Sequence, residues 1–157
     1  MSWSGHGSDR NWLRVWAAPA SPHTPDIDVR ASRRARSRGR EVSDFERSKS
    51  FYEQALAPLG LKVVMEPVPG VAAGFGAEFP FFWITERGRD AVSGAHVALR
   101  AESRAAVDAF HAAALAAGGT DNGAAAVREI YHPGYYGAFV LDPDANNIEA
   151  VHHTFPG

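Results

Sequence analysis

One stretch of this chain is written twice. Phe51-Tyr52-Glu53-Gln54-Ala55-Leu56 aligns with Phe110-His111-Ala112-Ala113-Ala114-Leu115, at an offset of 59 residues. The same offset lays Gly60 on Gly119 and Val42 on Ala101. A repeat of this length means one supersecondary unit used twice, each copy burying what the other cannot bury alone. Each copy reads as a helix flanked by strands, so the chain is α+β: two βαβββ modules that form a cleft between them.

The elements follow from local pattern. Ser43 followed by Glu46 makes a capping box, and Phe45, Tyr52, Leu56 and Leu59 then share a helical face that Gly60 closes. Residues 61–68 read as a strand. Residues 75–86 read as one aromatic strand whose alternating Phe79, Phe81 and Trp83 line core or pocket. Residues 85–94 are a polar linker. In the second copy, residues 95–102 are an apolar strand. Ser103 caps a helix with Val107, Phe110, Ala114 and Ala117 on one face, ended by Gly118 and Gly119. His111 reads as the edge of that face. Strands are expected at 126–131, 135–142 and 147–153, with a turn at 142–146.

The repeat also exposes a gap. The second module opens with an apolar strand, AHVALRA, whereas the matching text is ARSRGRE, and His96 falls on Ser37. Arg36, Arg38 and Arg40 make a poor buried strand, because unpaired guanidinium groups are costly to bury. The first strand of module 1 is therefore absent, or atypical and exposed. This text ends an unusual head. Residues 1–40 hold eight Arg and three Asp, while residues 41–157 carry a net charge of −7. The division is thus an atypical segment at 1–40 and an orderly body at 41–157, split into modules at 41–90 and 94–157. The head reads as a solvated, disordered tail or as frame-altered text. A nucleic-acid arm is disfavoured, since the acidic body continues no basic track.

The remaining bulk features exclude whole classes. The 157 residues include no cysteine, so there is no disulfide, zinc–thiolate site or cysteine nucleophile. No stretch has the length and apolarity of a membrane span, and no secretory leader is evident. A cytoplasmic location is the expectation.

Three segments in order carry a resemblance: VSDFERSKSFYEQALAPLGLKVV, HVALRAESRAAVDAFHAAALAAGG and YHPGYYGAFVLDPDANNIEAV. Over roughly 41–153 the body resembles glyoxalase-like members of the vicinal-oxygen-chelate superfamily, which includes bleomycin-resistance proteins and extradiol dioxygenases. The LDPDxNxIE signature at 141–149 is its strongest piece. Ala145 departs from the glycine usual in that turn, at some cost if its φ is positive.

The resemblance implies a divalent metal (iron, zinc, nickel or manganese) that chelates two adjacent substrate oxygens, held by a His on an opening strand and a Glu on a closing strand. Here those positions are His96 and Glu149. The module-1 counterparts fall near Ser37 and near Phe82 or Trp83, so the set is half present. A third ligand would come from His6, His23, a partner subunit or a corrected N-terminus. Glu149 and His132 are the candidate catalytic groups. Tyr131, Tyr136, Phe81 and Trp83 are the candidate substrate contacts. His152 and His153 read as surface residues, although His153 is in strand phase with Glu149.

Two functions compete. One is metal-dependent lyase, isomerase or dioxygenase chemistry on a small substrate with vicinal oxygens. The other is metal-free sequestration of a compound between aromatic walls. The resemblance also implies pairing of modules across a homodimer. The head carries its own test: resequencing the locus should reveal a frame change upstream of about Glu41. A clean read in the same frame, with close relatives sharing the head, would remove that idea.

Overall fold

The computed structural model describes residues 38–154. The first module runs β1 (Arg38–Glu41), α1 (Phe45–Leu56), a 3-10 turn (Ala57–Leu59), β2 (Lys62–Val68), β3 (Ala72–Gly76) and β4 (Phe82–Thr85). The second runs β5 (His96–Arg100), α2 (Arg104–Ala116), β6 (Thr120–Val127), β7 (Tyr135–Leu141) and β8 (Asn147–His153). Each module contributes a four-stranded mixed sheet, ordered β1-β4-β3-β2 and β5-β8-β7-β6. In both, the opening strand lies parallel to the closing strand at a sheet edge.

The duplication extends to the irregularities. The β2–β3 register slips between Val63 and Met65 and again between Met65 and Val68. The β6–β7 register slips between Asp121 and Gly123 and again between Gly123 and Ala126. The helix starts keep the 59-residue offset, with Asp44 and Ser103 as N-caps. The helix ends do not. Gly60 (φ 73) donates its N–H to Ala57 O, and Gly118 (φ 94) donates to Leu115 O in the same way. The left-handed partner of Gly60 is therefore Gly118, not Gly119, because module 2 is one residue shorter between cap and closure.

Four further expectations are corrected. The first helix is capped by Asp44, whose side chain accepts from Arg47 N at 2.9 Å, and Ser43 bonds elsewhere. The span 75–86 is two strands and a turn, with β3 ending at Gly76 and β4 starting at Phe82. Phe79 lies in that turn, 79% exposed. The strand expected at 126–131 instead spans Thr120–Val127.

The opening strand of module 1 is present. It is atypical in the way expected: four residues long, with Gly39 exposed and Arg40 half-buried. Its edge position leaves one side of the backbone unpaired, while Arg40 Nη1 is buried without a partner among the described residues. The fold thus begins at least three residues before Glu41. Ser37, His6, His23 and the rest of the arginine-rich head lie outside the described residues.

Helices and sheets share one core. Phe45, Phe51, Tyr52, Ala55 and Leu56 of α1 and Val107, Phe110 and Ala114 of α2 pack with Ala73, Phe75, Phe82 and Ile84 of one sheet and Leu99, Ala138, Val140, Ile148 and Ala150 of the other. Each large side chain buried here contributes about 1.5–3 kcal/mol.

The modules are also joined by polar groups. The Tyr52 hydroxyl donates to Asp142 Oδ2 at 2.5 Å in buried surroundings. Asp142 Oδ1 accepts from the backbone N–H groups of Asp144 and Asn146 at 2.9 and 2.7 Å. The Asn146 amide donates to Val92 O at 2.8 Å. Ser43 donates through both its backbone N–H and its hydroxyl to Asp144. Within this turn Ala145 takes φ 62, a left-handed conformation that glycine adopts without the cost of a Cβ.

Removing the Tyr52 hydroxyl takes one of two donors from the buried Asp142 Oδ2, leaving the Asn146 amide at 3.0 Å. Tyr52→Phe should lower the urea-unfolding free energy by about 1–3 kcal/mol. Ala145→Gly should raise it by about 1 kcal/mol through relief of the left-handed Cβ. Equal stability of all three proteins would show that this junction is not strained or stabilising as described.

Candidate functional site

Strand alternation gives each sheet two faces. One face of each packs against the helices. On the opposite face of the second sheet stand His96, Ala98, Phe139, Gly137, Tyr135, Glu149, Val151 and His153. The β5–β8 and β7–β8 registers place Ala98 and Phe139 on either side of Glu149.

Glu149 is the centre of this face. It is 2% exposed, and both its oxygens are engaged. His96 Nε2 lies 2.8 Å from Oε2, and the Tyr135 hydroxyl donates to Oε1. The His96 side chain is 44% exposed, so the pair runs from solvent to a buried carboxylate. A Cβ on Gly137 would stand 3.0 Å from the Tyr135 ring and 3.3 Å from Glu149 Oε1. Its absence leaves the lane through which Tyr135 reaches the carboxylate. Burial, and then the bond to Glu149, push the Tyr135 hydroxyl well above the usual phenol range, so it serves as a donor.

A ring cluster borders this pair. Tyr131, His132 and His153 lie with centroids 4.8, 5.2 and 5.1 Å from the Tyr135 ring. His132 Nε2 and His153 Nδ1 are 2.8 Å apart. His132 Nδ1 lies 2.8 Å from Pro133 O, which can only accept, so Nδ1 carries the proton. Burial and the neighbouring His132 hold the His153 imidazole below its usual range.

Of the residues singled out from sequence, His96, Glu149, His132 and Tyr131 share this face. Tyr136 does not. Its hydroxyl donates to Asp108 Oδ1 at 2.7 Å and Arg104 lies over its ring, so it faces α2. Phe81 precedes β4 and packs against the core. Sequence reasoning passed over Tyr135 and set His153 aside. Both share strand parity with Glu149, and that phase was the available signal.

Trp83 belongs to the first sheet. The pairs Gly39–Trp83 and Gly74–Trp83 repeat the pairs Ala98–Glu149 and Phe139–Glu149. Trp83 thus holds the register position of Glu149, with an indole in place of a carboxylate. A Cβ on Gly74 would fall 2.9 Å from that ring. The indole helps line a depression of about 580 Å³ with Gly39, Glu41, Thr85, Arg87 and Arg89. Glu41 is pinned there by the Thr85 hydroxyl at 3.0 Å and by the backbone N–H groups of Arg87 and Arg89.

The donor set fits a metal by half. His96 Nε2 and Glu149 Oε2 are 2.8 Å apart, close enough for both to reach one ion. Module 1 offers an indole at the corresponding position. Among the described residues no group of three His, Asp or Glu side chains gathers to hold an ion.

Residues 40–150 match the family model described as Glyoxalase/Bleomycin resistance protein/Dioxygenase superfamily. Among solved structures, a glyoxalase/bleomycin resistance protein from Albidiferax ferrireducens T118 is 32% identical (TM-score 0.63), covering 74% of this chain and 95% of its own. A glyoxalase/bleomycin resistance protein from Catenulispora acidiphila DSM 44928 is 26% identical (TM-score 0.52) with the same coverage. A lactoylglutathione lyase from Agrobacterium tumefaciens, 19% identical (TM-score 0.55) and matched over 73% of this chain and 90% of its own, shares the fold. No curated protein matches significantly.

The Glu41 carboxyl is held below its usual range, first by the Arg87 N–H bond. A depressed folded pKa stabilises above the ordinary value of 4.5 and loses that effect as pH falls through the folded pKa. Glu41→Gln should therefore melt below the wild type at pH 7, and the gap should close under acid. A gap unchanged from pH 7 to pH 3 would contradict the pinned carboxylate.

Proposed function

Because the chain belongs to the glyoxalase/bleomycin resistance protein/dioxygenase superfamily, we propose that the open face around Glu149 binds a small molecule without a resident metal. The observation that carries this reading is the engagement of Glu149. His96 and Tyr135 take one oxygen each, so the carboxylate is satisfied by the chain's own groups. Phe139 supplies an apolar floor beside it. Tyr131 and His132 supply polar edges for a ligand hydroxyl or carbonyl. In module 1 the matched register position is aromatic, which suits a wall and not a ligand to an ion.

A second reading rests on the 2.8 Å spacing of His96 Nε2 and Glu149 Oε2. These two would hold a divalent iron, zinc, nickel or manganese, which when bound would polarise adjacent substrate oxygens. That reading needs Glu149 Oε2 for the metal while Tyr135 keeps Oε1. It also needs a further ligand from outside the described residues or from a second copy. A homodimer is part of the proposal. Met65, Val68 and Val127 on edge strands β2 and β6 are exposed apolar groups that a second copy would cover.

Metal analysis after incubation with each ion should give well under one equivalent per chain. Thermal-shift screening of planar, hydroxylated compounds should give hits that Tyr135→Phe weakens and Tyr136→Phe leaves intact. Stoichiometric metal that disappears in His96→Ala would transfer the conclusion to the second reading.

A further inference from the structure

Among the described residues, two cations on this side have no carboxylate within ion-pair distance, the exposed Arg100 of β5 and Arg128, and only Arg128 is seated against a ring. Arg128 follows β6, and its guanidinium lies over the Phe139 ring, 5.3 Å from the centroid. Phe139 is on the open face, cross-strand from Glu149, with His96 on its other flank at 6.3 Å. The seat for Arg128 is made by the β6 bulge. A Cβ on Gly123 would stand 3.1 Å from Arg128 Nη2 and 3.1 Å from Phe139. Gly123 has φ 147, so both its conformation and its bareness are used.

Within this seat the guanidinium is under-supplied with acceptors. Nη2 donates to Ala124 O at 3.0 Å. Nε is buried and has no partner among the described residues. No carboxylate among the described residues lies within ion-pair distance of it. The adjacent carboxylate, Glu149, is committed to His96 and Tyr135. A half-buried guanidinium thus sits over a ring beside this face with no carboxylate partner among the described residues. Arginine presents a planar fork of donors that matches an oxyanion, and fixing it in advance removes the ordering cost of binding.

We propose that Arg128 is the anion anchor of this face, and that its ligand is a small organic oxyanion with a planar body. The oxyanion pairs with the guanidinium, and the body lies toward Phe139 and the Tyr131–Tyr135 rings. The inference rests on the small-molecule reading of the face and adds the charge of the ligand. It uses a residue outside the His96–Glu149 pair.

The test is titration of the full chain, followed by backbone amide NMR, with benzoate, phenyl phosphate and the neutral isostere benzamide. Both anions should shift the amides of Gly123, Arg128 and Tyr135, and benzamide should bind about tenfold more weakly or less well still. The better of the two anions identifies carboxylate or phosphate ester as the preferred head. Arg128→Gln should lose about tenfold in anion affinity while keeping benzamide, and Arg128→Lys should recover only part of the loss. In the wild type, added salt should weaken benzoate and not benzamide, a readout that holds even where a variant fails to fold. Benzamide binding as tightly as benzoate, or Arg128→Gln binding benzoate like the wild type, overturns the anion anchor alone. Failure of every probe to shift this face overturns both the anchor and the binding reading beneath it.

Discussion

The buried carboxylate of Asp142 is the point on which the two modules hinge their relationship. It takes the Tyr52 hydroxyl from the first module's helix and two backbone N–H groups from its own turn. Through Asn146 the same turn reaches Val92, in the segment that connects the modules. A buried carboxylate without such partners would be very costly. Here the cost is offset by donors from two parts of the chain, α1 and the turn itself, and Asn146 carries the connection on to the linker, so satisfying one charge ties together α1, the linker and the start of β8. Glu149 is two residues into β8 from Asn147 and inherits its position from that junction.

The two sheets share strand order, register and bulge spacing, yet they have diverged at the positions that face outward. Glu149 in one corresponds to Trp83 in the other, and Phe139 corresponds to Gly74. The large and small partners have exchanged places across the strand pair. Where the closing strand carries a carboxylate, its neighbour is a ring. Where it carries an indole, its neighbour is a glycine that makes room. The pairwise exchange puts a ring at this point in both modules, on the closing strand in one and on its neighbour in the other.

Much of this was legible in sequence because helix and strand periods are short-range signals and the repeat supplied a second reading of each. The helices and the second module's closing strand could be found that way, whereas the His96–Glu149 pair was implied only by the family resemblance. What was not legible depended on phase or on distant partners. Tyr135 and Tyr136 are adjacent and chemically alike, and only the β7–β8 register tells which faces Glu149. Ser43 satisfies the local rule for a cap, but Asp144, far along the chain, is there to accept from it, and the cap passes to Asp44. The opening strand was obscured by arginines, and it lies at a sheet edge with one side of its backbone unpaired.

The shared bulges bear on how such a protein changes its chemistry. Both sheets bend at matched places, so each presents its outward residues at the same set of stations. A new ligand does not require a new backbone. A substitution at a station, with a compensating change in the residue across from it, is what separates the Trp83–Gly74 pair from the Glu149–Phe139 pair. The fold acts as a fixed grid, and its diversity is written in which squares hold charge.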